Sequence, residues 1–282
     1  MRFPHGAATR GVSPERRSGL GSIVNNGFLS GTNEIILFLA FFALMLAATE
    51  VGFRVGRKSQ PNTPDKTKAA VEIVEAAILG ILALLLGFTM SMTLSRFEVR
   101  KQLVLDEANA IGTSYLRAAL LPPPEGSEIE SLLRQYIHVR VQYGITGNDP
   151  ARLDSLREQS AELQNQFWTR AVAYEQKDPH PVRIGLLLQS LNQAMDLESA
   201  RRSAFQNQVP ESVIYVNGIV GILATMLVGY TFGLHGKRQI FSMVVLALAI
   251  TLVLSLIIDL DRPRSGFVRG SQQPMIDLQS LP

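Results

Sequence analysis

Apolar residues are gathered into four long blocks along the chain, and the stretches between them are rich in charge. The blocks cover about residues 35–53, 76–95, 213–234 and 239–260. A helix rises about 1.5 Å per residue, so roughly 20 apolar residues cross the ~30 Å hydrocarbon core of a bilayer. The pattern therefore predicts an all-α integral membrane protein with four transmembrane helices.

The spacing of the blocks divides the chain into two membrane hairpins and a water-facing helical domain between them. The link from Leu234 to Arg238 is long enough only for a tight turn, so the last two spans form an antiparallel hairpin. The expected regions are a flexible N-terminal tail at 1–33, a first hairpin at 34–96, a helical domain at 97–211, a second hairpin at 212–260 and a C-terminal tail at 261–282.

Local signals divide the helical domain into four helices. The second span is expected to continue out of the membrane as a helix until Pro122 stops it. Ser127 and Glu130 have the spacing of a capping box, which predicts that a helix begins at Ser127. Asp149 before Pro150 predicts a capped start of the next helix. A last helix leads back into the membrane, and no alternating strand pattern is evident.

Composition and charge narrow the function classes. The chain has 27 basic and 24 acidic residues, and its aromatic residues are scattered, so nucleic acid is not an expected partner. There is no cysteine, which excludes disulfides and thiolate metal sites. We expect an integral membrane protein, with the lipid bilayer as its first partner.

Membrane orientation is left open by the charge pattern. An even number of crossings puts both termini and the helical domain on the same side. The number of basic residues favours a cytosolic domain, but on the opposite side they are denser because the loops are shorter. We expect the helical domain and both termini to lie in the cytosol.

Catalytic chemistry finds little support in the sequence. The four histidines fall in different segments without metal-ligand spacing, and no catalytic motif is present. Asp106 with Glu107, or Asp259 with Asp261, could form carboxylate pairs, but solvated or ion-paired charge at helix ends is the favoured interpretation. We expect no enzyme activity, no cofactor and no metal.

Two spans carry small residues at every fourth position. In the third span these are Gly221, Thr225, Gly229 and Gly233, and in the second they are Ala83, Gly87, Ser91 and Ser95. Small residues let helix backbones approach closely in lipid, so helix packing is the favoured interpretation of both stripes. The alternative is that Thr89, Ser91 and Ser95 line a water-filled path.

Charge placement bears on transport. The middle of each span lacks Asp, Glu, Lys and Arg, whereas coupled carriers usually keep an ionisable residue there. A passive pore or a protein that transports nothing is therefore favoured over a coupled carrier. Arg96, Arg100 and Lys101 follow the second span, and around a symmetry axis they would form basic rings that attract anions, although interfacial arginine is the simpler interpretation.

The second span also resembles a known family. Leu86-Gly87-Phe88, followed by Ser95-Arg96-Phe97-Glu98, resembles the second membrane helix of bestrophins, and the order of spans is similar. The stretch LGFTMSMTLSRFEVRKQLVLDEANAIGTSYLRAALLP together with IIDLDRPRSGFVRG resembles bacterial membrane proteins described as bestrophin-like. That similarity covers most of Val71 to Leu278.

The resemblance implies a homopentameric channel, most often selective for anions, in which the second helix lines the pore. It places an apolar neck at Gly80, Leu84 and Phe88. If the hydroxyls of the stripe also line this pore, Ser91 and Ser95 lie further along it. Gly80 departs from the bulky residue expected, and Ser95 and Phe97 also differ from the bestrophin pattern. No acidic run resembling a calcium clasp follows the fourth span.

Two functional hypotheses follow, from different classes. The first is an oligomeric passive channel for small anions, with an apolar neck in the second span and Arg96, Arg100 and Lys101 at its inner mouth. The second is a non-conducting, membrane-anchored helical module that binds a partner or senses the bilayer, for example through the face around Trp168. An enzyme acting on lipid or cell-envelope substrates comes third.

Overall fold

The computed structural model describes residues 34–177, 181–262, 264, 266, 268 and 270–281. Within these residues every regular element is helical, which confirms the all-α class. The helices are α1 (Glu34–Ser59), α2 (Asp65–Ala118), α3 (Glu125–Ile145), α4 (Pro150–Glu175), α5 (Pro181–Gln206), α6 (Glu211–Leu234), α7 (Ile240–Asp261) and α8 (Gln273–Asp277). Short 3-10 turns occupy Gln60–Asn62 and Leu278–Ser280. The tail expected at 1–33 lies outside the described residues.

Helices long and apolar enough to cross a membrane occur at α1, α2, α6 and α7, which confirms the four predicted spans. Helix α1 continues to Ser59, beyond the apolar block that ends at Phe53. Its polar end carries an ion pair in which Arg54 Nε donates to Glu50 Oε1 at 2.8 Å. The membrane span therefore ends where the helix meets polar surroundings, but the helix continues beyond the span.

Helix α2 joins the membrane layer to the helical domain. It has 54 residues, so it extends over roughly 80 Å, and it ends at Ala118, before the prolines that begin at Pro122. One continuous helix thus carries residues of both regions at fixed separations.

The predicted starts of the next two helices had different outcomes. Helix α3 begins at Glu125, so the capping box expected at Ser127 is wrong. Ser127 already lies inside the first turn, and its hydroxyl donates to the Pro124 carbonyl oxygen at 2.9 Å. The start of α4 is as expected, because the Asp149 carboxylate accepts from the Arg152 backbone N–H at 3.2 Å.

The core of the helical domain lies between the second half of α2 and helices α3, α4 and α5. Its fully buried side chains include Ile111, Leu133 and Leu187. Tyr136 and Phe167 meet edge to face, with ring centroids 5.7 Å apart. This contact joins α3 to α4 at the centre of the domain.

The segment expected as a C-terminal tail folds onto this domain. Met275 in α8 is fully buried in the domain core. Near the end of the chain, the Leu281 carbonyl accepts from Arg134 Nη1 at 3.1 Å. The chain therefore returns from the second hairpin and completes the core of a domain whose other helices precede that hairpin.

In the membrane layer, α1 lies against α6 at backbone contact distance. A Cβ atom built on Gly52 would lie 1.9 Å from the Met226 carbonyl oxygen, and one on Gly229 would lie 2.0 Å from the Thr49 oxygen. On Gly233 it would lie 2.3 Å from the oxygen of Phe53. Such an approach is possible only where a glycine, which has no Cβ, faces the backbone of the other helix.

Further along the same stripe of α6 the packing is looser. A Cβ on Gly221 would meet the end of the Met45 side chain at 2.9 Å. Thr225 is buried, and its hydroxyl bonds to the Gly221 carbonyl at 3.0 Å. The α6 stripe thus lies inside the protomer along its whole length.

Candidate functional site

The membrane part of α2 has one face packed inside the protomer. Leu82 and Leu86 are buried there in the apolar core of the membrane layer, and Thr93 is fully buried. Thr89 is also on this face, where its hydroxyl accepts a hydrogen bond from Asn217 Nδ2 of α6 at 3.0 Å. Thr89 therefore joins α2 to α6 and does not share a face with Ser91 and Ser95.

The opposite face of α2 carries the residues predicted to line a pore. Gly80, Leu84, Phe88, Ser91 and Ser95 are all exposed in the protomer. The exposed fractions of Leu84 and Phe88 are 58% and 67%. No described atom lies within 4 Å of a Cβ built on Gly80, leaving aside the helix itself and the neighbouring residues. These five residues form one continuous face, which we call the outward face of α2.

The outward face changes character along the helix. Its first part is apolar, at Gly80, Leu84 and Phe88, and its second part bears the hydroxyls of Ser91 and Ser95. An apolar ring of this kind can act as a constriction that holds little water, whereas hydroxyls can hydrate an ion. The polar part lies on the side of the helical domain.

The three basic residues that follow the span have different surroundings. Arg96 is half-buried and its Nη1 donates to Asn207 Oδ1 at 2.9 Å, while Lys101 is exposed. Arg100 is only 6% exposed, and its Nη2 donates to the Leu260 carbonyl oxygen at 2.5 Å. Carbonyls in the last turn of a helix lack partners within the helix and attract cations. Arg100 therefore lies inside the protomer against the end of α7, away from the predicted mouth.

Two carboxylates at the end of α7 are buried rather than solvated. The Asp261 oxygens accept from the Val209 backbone N–H at 3.0 and 3.1 Å. Asp259 Oδ2 accepts from the Val268 backbone N–H at 3.0 Å. Each carboxylate thus fixes a neighbouring stretch of backbone, one before α6 and the other after α7.

A second set of buried charges lies in the helical domain. Glu107 of α2 bonds through Oε1 to Arg140 Nε and through Oε2 to Arg201 Nη1, both at 2.6 Å, and all three side chains are fully buried. Glu198 Oε1 lies 3.4 Å from Arg140 Nη1, and Gln272 Oε1 accepts from Arg201 Nη2 at 2.5 Å. These five residues, which we call the buried ion cluster, join α2, α3 and α5 to the chain before α8.

The charges of this cluster stabilise one another. Burial alone would raise the pKa of Glu107, but the charges and hydrogen bonds of Arg140 and Arg201 outweigh it and hold that pKa below its usual range. Burial would likewise lower the pKa of Arg140, and the charge of Glu107 raises it above the ordinary value. Glu107 is enclosed by its partners, so its role is structural.

The sequence contains a signal for this cluster that charge counting misses. Arg140 continues the apolar face of α3 formed by Ile129, Leu133 and Tyr136, and those residues are fully buried. A charged residue at a core position must be paired, because an isolated buried charge is costly. Arg201 continues the buried face of α5 in the same way.

Metal binding and the face around Trp168 are the remaining candidate sites. Over the described ranges, no three His, Asp or Glu side chains are grouped so as to hold a metal ion. Trp168, suggested as the centre of an exposed binding face, is half-buried and packs against the domain core. The face of α4 around Trp168 is therefore partly used by the fold itself.

Comparison with known proteins identifies the family. A family model of the bestrophin-like domain matches residues 39–275. The chain belongs to the bestrophin-like family. This confirms the family resemblance inferred from the sequence. No curated protein matches the sequence.

Solved structures similar to this bestrophin-like protein include those of a bacterial bestrophin homologue from Klebsiella pneumoniae. One, a variant with a tryptophan replaced by alanine, has 15% identity and a TM-score of 0.64, with 89% of this chain and 99% of that chain covered. Another, phased with zinc, has 16% identity and a TM-score of 0.62, with 89% and 100% covered. A structure described only as a membrane protein, with a proline replaced by alanine, has 16% identity, a TM-score of 0.64 and coverages of 86% and 99%. At such identity the likeness shows a shared fold.

Proposed function

We propose that this protein is a homo-oligomeric, passive channel for small anions in the bacterial inner membrane. The observation that carries the proposal is the outward face of α2, which runs through an uncharged span and is covered by no described part of its own chain. Packing copies around a shared axis would cover that face and enclose a path. The resemblance to bestrophins favours five copies and a channel rather than an enzyme.

Each residue of the outward face would form a ring in such an oligomer. Leu84 and Phe88 supply an apolar neck, with the small Gly80 on the side away from the helical domain. Ser91 and Ser95 supply hydroxyls between the neck and the domain. An ion would therefore lose water at the neck and regain polar contacts beyond it.

Basic residues beside the domain would favour anions at the inner mouth. Arg96 remains available for this role. Arg100 is left out because it is bonded to the end of α7, and Lys101 because it lines a cavity on the other side of α2. With the domain in the cytosol, this mouth would collect anions from the cytosolic side. Exposed basic rings act mainly by raising the local anion concentration, so the effect should weaken at high salt.

The first test is the mass of the full chain in nanodiscs, followed by flux through proteoliposomes. A five-subunit particle that conducts supports the proposal. A folded monomer or dimer that conducts nothing contradicts it and leaves the membrane-anchored module as the function.

Matched variants test the neck. Leu84→Ala and Phe88→Ala widen the constriction, so we expect a higher flux. Leu252→Ala and Phe241→Ala make the same chemical changes at exposed positions of α7, where the exposed fractions are 52% and 82%. These controls should conduct like the parent protein. Equal flux in all five proteins would contradict the assignment of the neck.

A separate measurement tests the selectivity. Arg96→Met removes one basic ring, so the preference for chloride over potassium, read from the reversal potential in a salt gradient, should fall. If the parent protein prefers cations, the anion part of the proposal is wrong and the channel part stands.

A further inference from the structure

A small cavity lies on the inward side of α2, just beyond the membrane span. It is enclosed by α2, the end of α5 and the chain that follows α7, and its volume is about 20 Å³. Three basic residues line it, Arg100, Lys101 and Arg262, together with Gln272 of the buried ion cluster. The cavity therefore lies between α2, just beyond its membrane span, and the C-terminal segment.

One cation in the wall has an unused donor. Arg100 is more than nine-tenths buried, and its Nη1 finds no hydrogen-bond partner among the described residues. Its Nη2 is satisfied by the Leu260 carbonyl oxygen at 2.5 Å. Buried guanidinium donors are almost always paired, because leaving one without an acceptor loses the hydration it had in water. Arg100 Nη1 therefore needs a hydrogen-bond acceptor, which an occupant of the cavity would supply.

The charge around the cavity is positive on balance. Two carboxylates adjoin the cavity, since Asp261 interacts with Arg100 and Asp259 accepts from the backbone N–H of the lining residue Val268, and together they offset two of the three lining cations. Behind Phe205, which also lines the cavity, the Arg264 guanidinium lies 4.8 Å from the ring centroid. An anion at this place would be attracted from several directions.

We propose that the cavity binds one small monovalent anion of halide size, and that this anion holds the C-terminal segment against α2. A volume of about 20 Å³ is enough for a species close in size to water, as a halide ion is. The anion accepts from Arg100 Nη1 and lies beside the charges of Lys101 and Arg262. The site is on the opposite side of α2 from the outward face, so it does not depend on conduction.

Thermal unfolding of the full chain in detergent tests the proposal. The ionic strength is kept constant while gluconate is replaced by chloride or bromide, so that general screening does not change. We expect the midpoint temperature to rise with either halide and to saturate, since a ligand that binds only the folded state stabilises it. Inorganic phosphate and vesicles containing anionic lipid should not reproduce the rise.

Two variants locate the effect. Lys101→Met should raise the halide concentration needed for half the stabilisation by about tenfold, as expected when one cation near an anion is lost. Lys177→Met removes an exposed lysine in the turn after α4, so this variant should show the same halide dependence as the parent protein. Gln272→Glu supplies a fixed negative charge beside the cavity, so it should abolish the halide response.

Several results would overturn the proposal. Equal midpoint temperatures in chloride and gluconate would show that no halide binds. A normal halide response in both Lys101→Met and Gln272→Glu would show that the halide binds elsewhere. A response to phosphate or anionic lipid but not to halide would mean that a larger anion occupies this surface. The Phe88→Ala channel variant should keep the full halide response, so a failure of the channel proposal leaves this test unaffected.

Discussion

Helices α2 and α6 carry the same sequence pattern, and the fold uses it in opposite ways. Both have small residues at every fourth position within a membrane span. In α6 the stripe from Gly221 to Gly233 is buried, largely against α1 of the same chain. In α2 the stripe from Ala83 to Ser95 is exposed, and no described atom outside the helix comes within 4 Å of a Cβ built on Gly87.

The difference shows what small-residue spacing can and cannot indicate. Such a stripe permits a close approach along one helix face, but it does not identify what approaches. Glycines in α1, at positions 52 and 56, complete the contact with α6. The stripe of α2 has no such complement in the described chain, so it is available to another copy or to water.

The largest expected effect comes from filling the α6 contact. Gly229→Ala places a methyl group 2.0 Å from the Thr49 carbonyl oxygen, and neither backbone can yield without moving its helix. We expect a loss of about 3 kcal/mol in the free energy of unfolding, measured by circular dichroism in detergent. An unchanged transition would mean that α1 and α6 are not in backbone contact.

A smaller loss is expected nearer the other end of the α6 stripe. Gly221→Ala meets the end of the Met45 side chain at 2.9 Å, and a methionine can change rotamer. The destabilisation should be about 1 kcal/mol in the same unfolding measurement. If Gly221→Ala lowers the free energy of unfolding as much as Gly229→Ala does, the flexibility of the Met45 side chain does not reduce the cost of the added methyl group.

The matched change in α2 should have the opposite sign. Gly87→Ala meets nothing in the protomer, and alanine is favoured over glycine in a helix by roughly 0.8 kcal/mol. We therefore expect a slightly higher unfolding temperature for the protomer, together with an altered flux in proteoliposomes. A strong destabilisation would show that the α2 stripe is already packed.

The smallest effect on stability is expected at the hydroxyls of α2. Ser91→Ala lies on the outward face and should change the free energy of unfolding by less than about 0.5 kcal/mol while it alters the flux. Thr89→Val is the matched control, because it removes the bond to Asn217. It should cost about 1 kcal/mol and leave the flux unchanged. If Ser91→Ala and Thr89→Val had the same effects on stability and flux, the two faces of α2 would not have the different roles proposed here.

The spans and most helix limits could be predicted because each depends on local physics. About 20 uncharged residues suffice to specify a span, and the carboxylate of Asp149 caps the helix that starts beside it. Ser127 has equally good local spacing and failed, because the prolines before it bring the chain into the helix two residues earlier.

The site was harder to predict because its partners are distant in sequence. Glu107 looked like solvated charge beside Asp106, and only the fold brings Arg140 and Arg201 to it. Arg100 follows a span as interfacial arginines do, yet it is buried against the end of α7. By contrast, the positions of Leu84 and Phe88 on one face follow directly from the helical period.

The buried ion cluster can be completed only late in the synthesis of the chain. Glu107 is synthesised soon after the first hairpin, whereas Gln272 is synthesised only after the second hairpin. Until then Arg201 lacks one of its partners, and the core lacks Met275. The growing chain must therefore insert both hairpins around an unfinished domain, and the domain is completed only after Gln272 and Met275 have been synthesised.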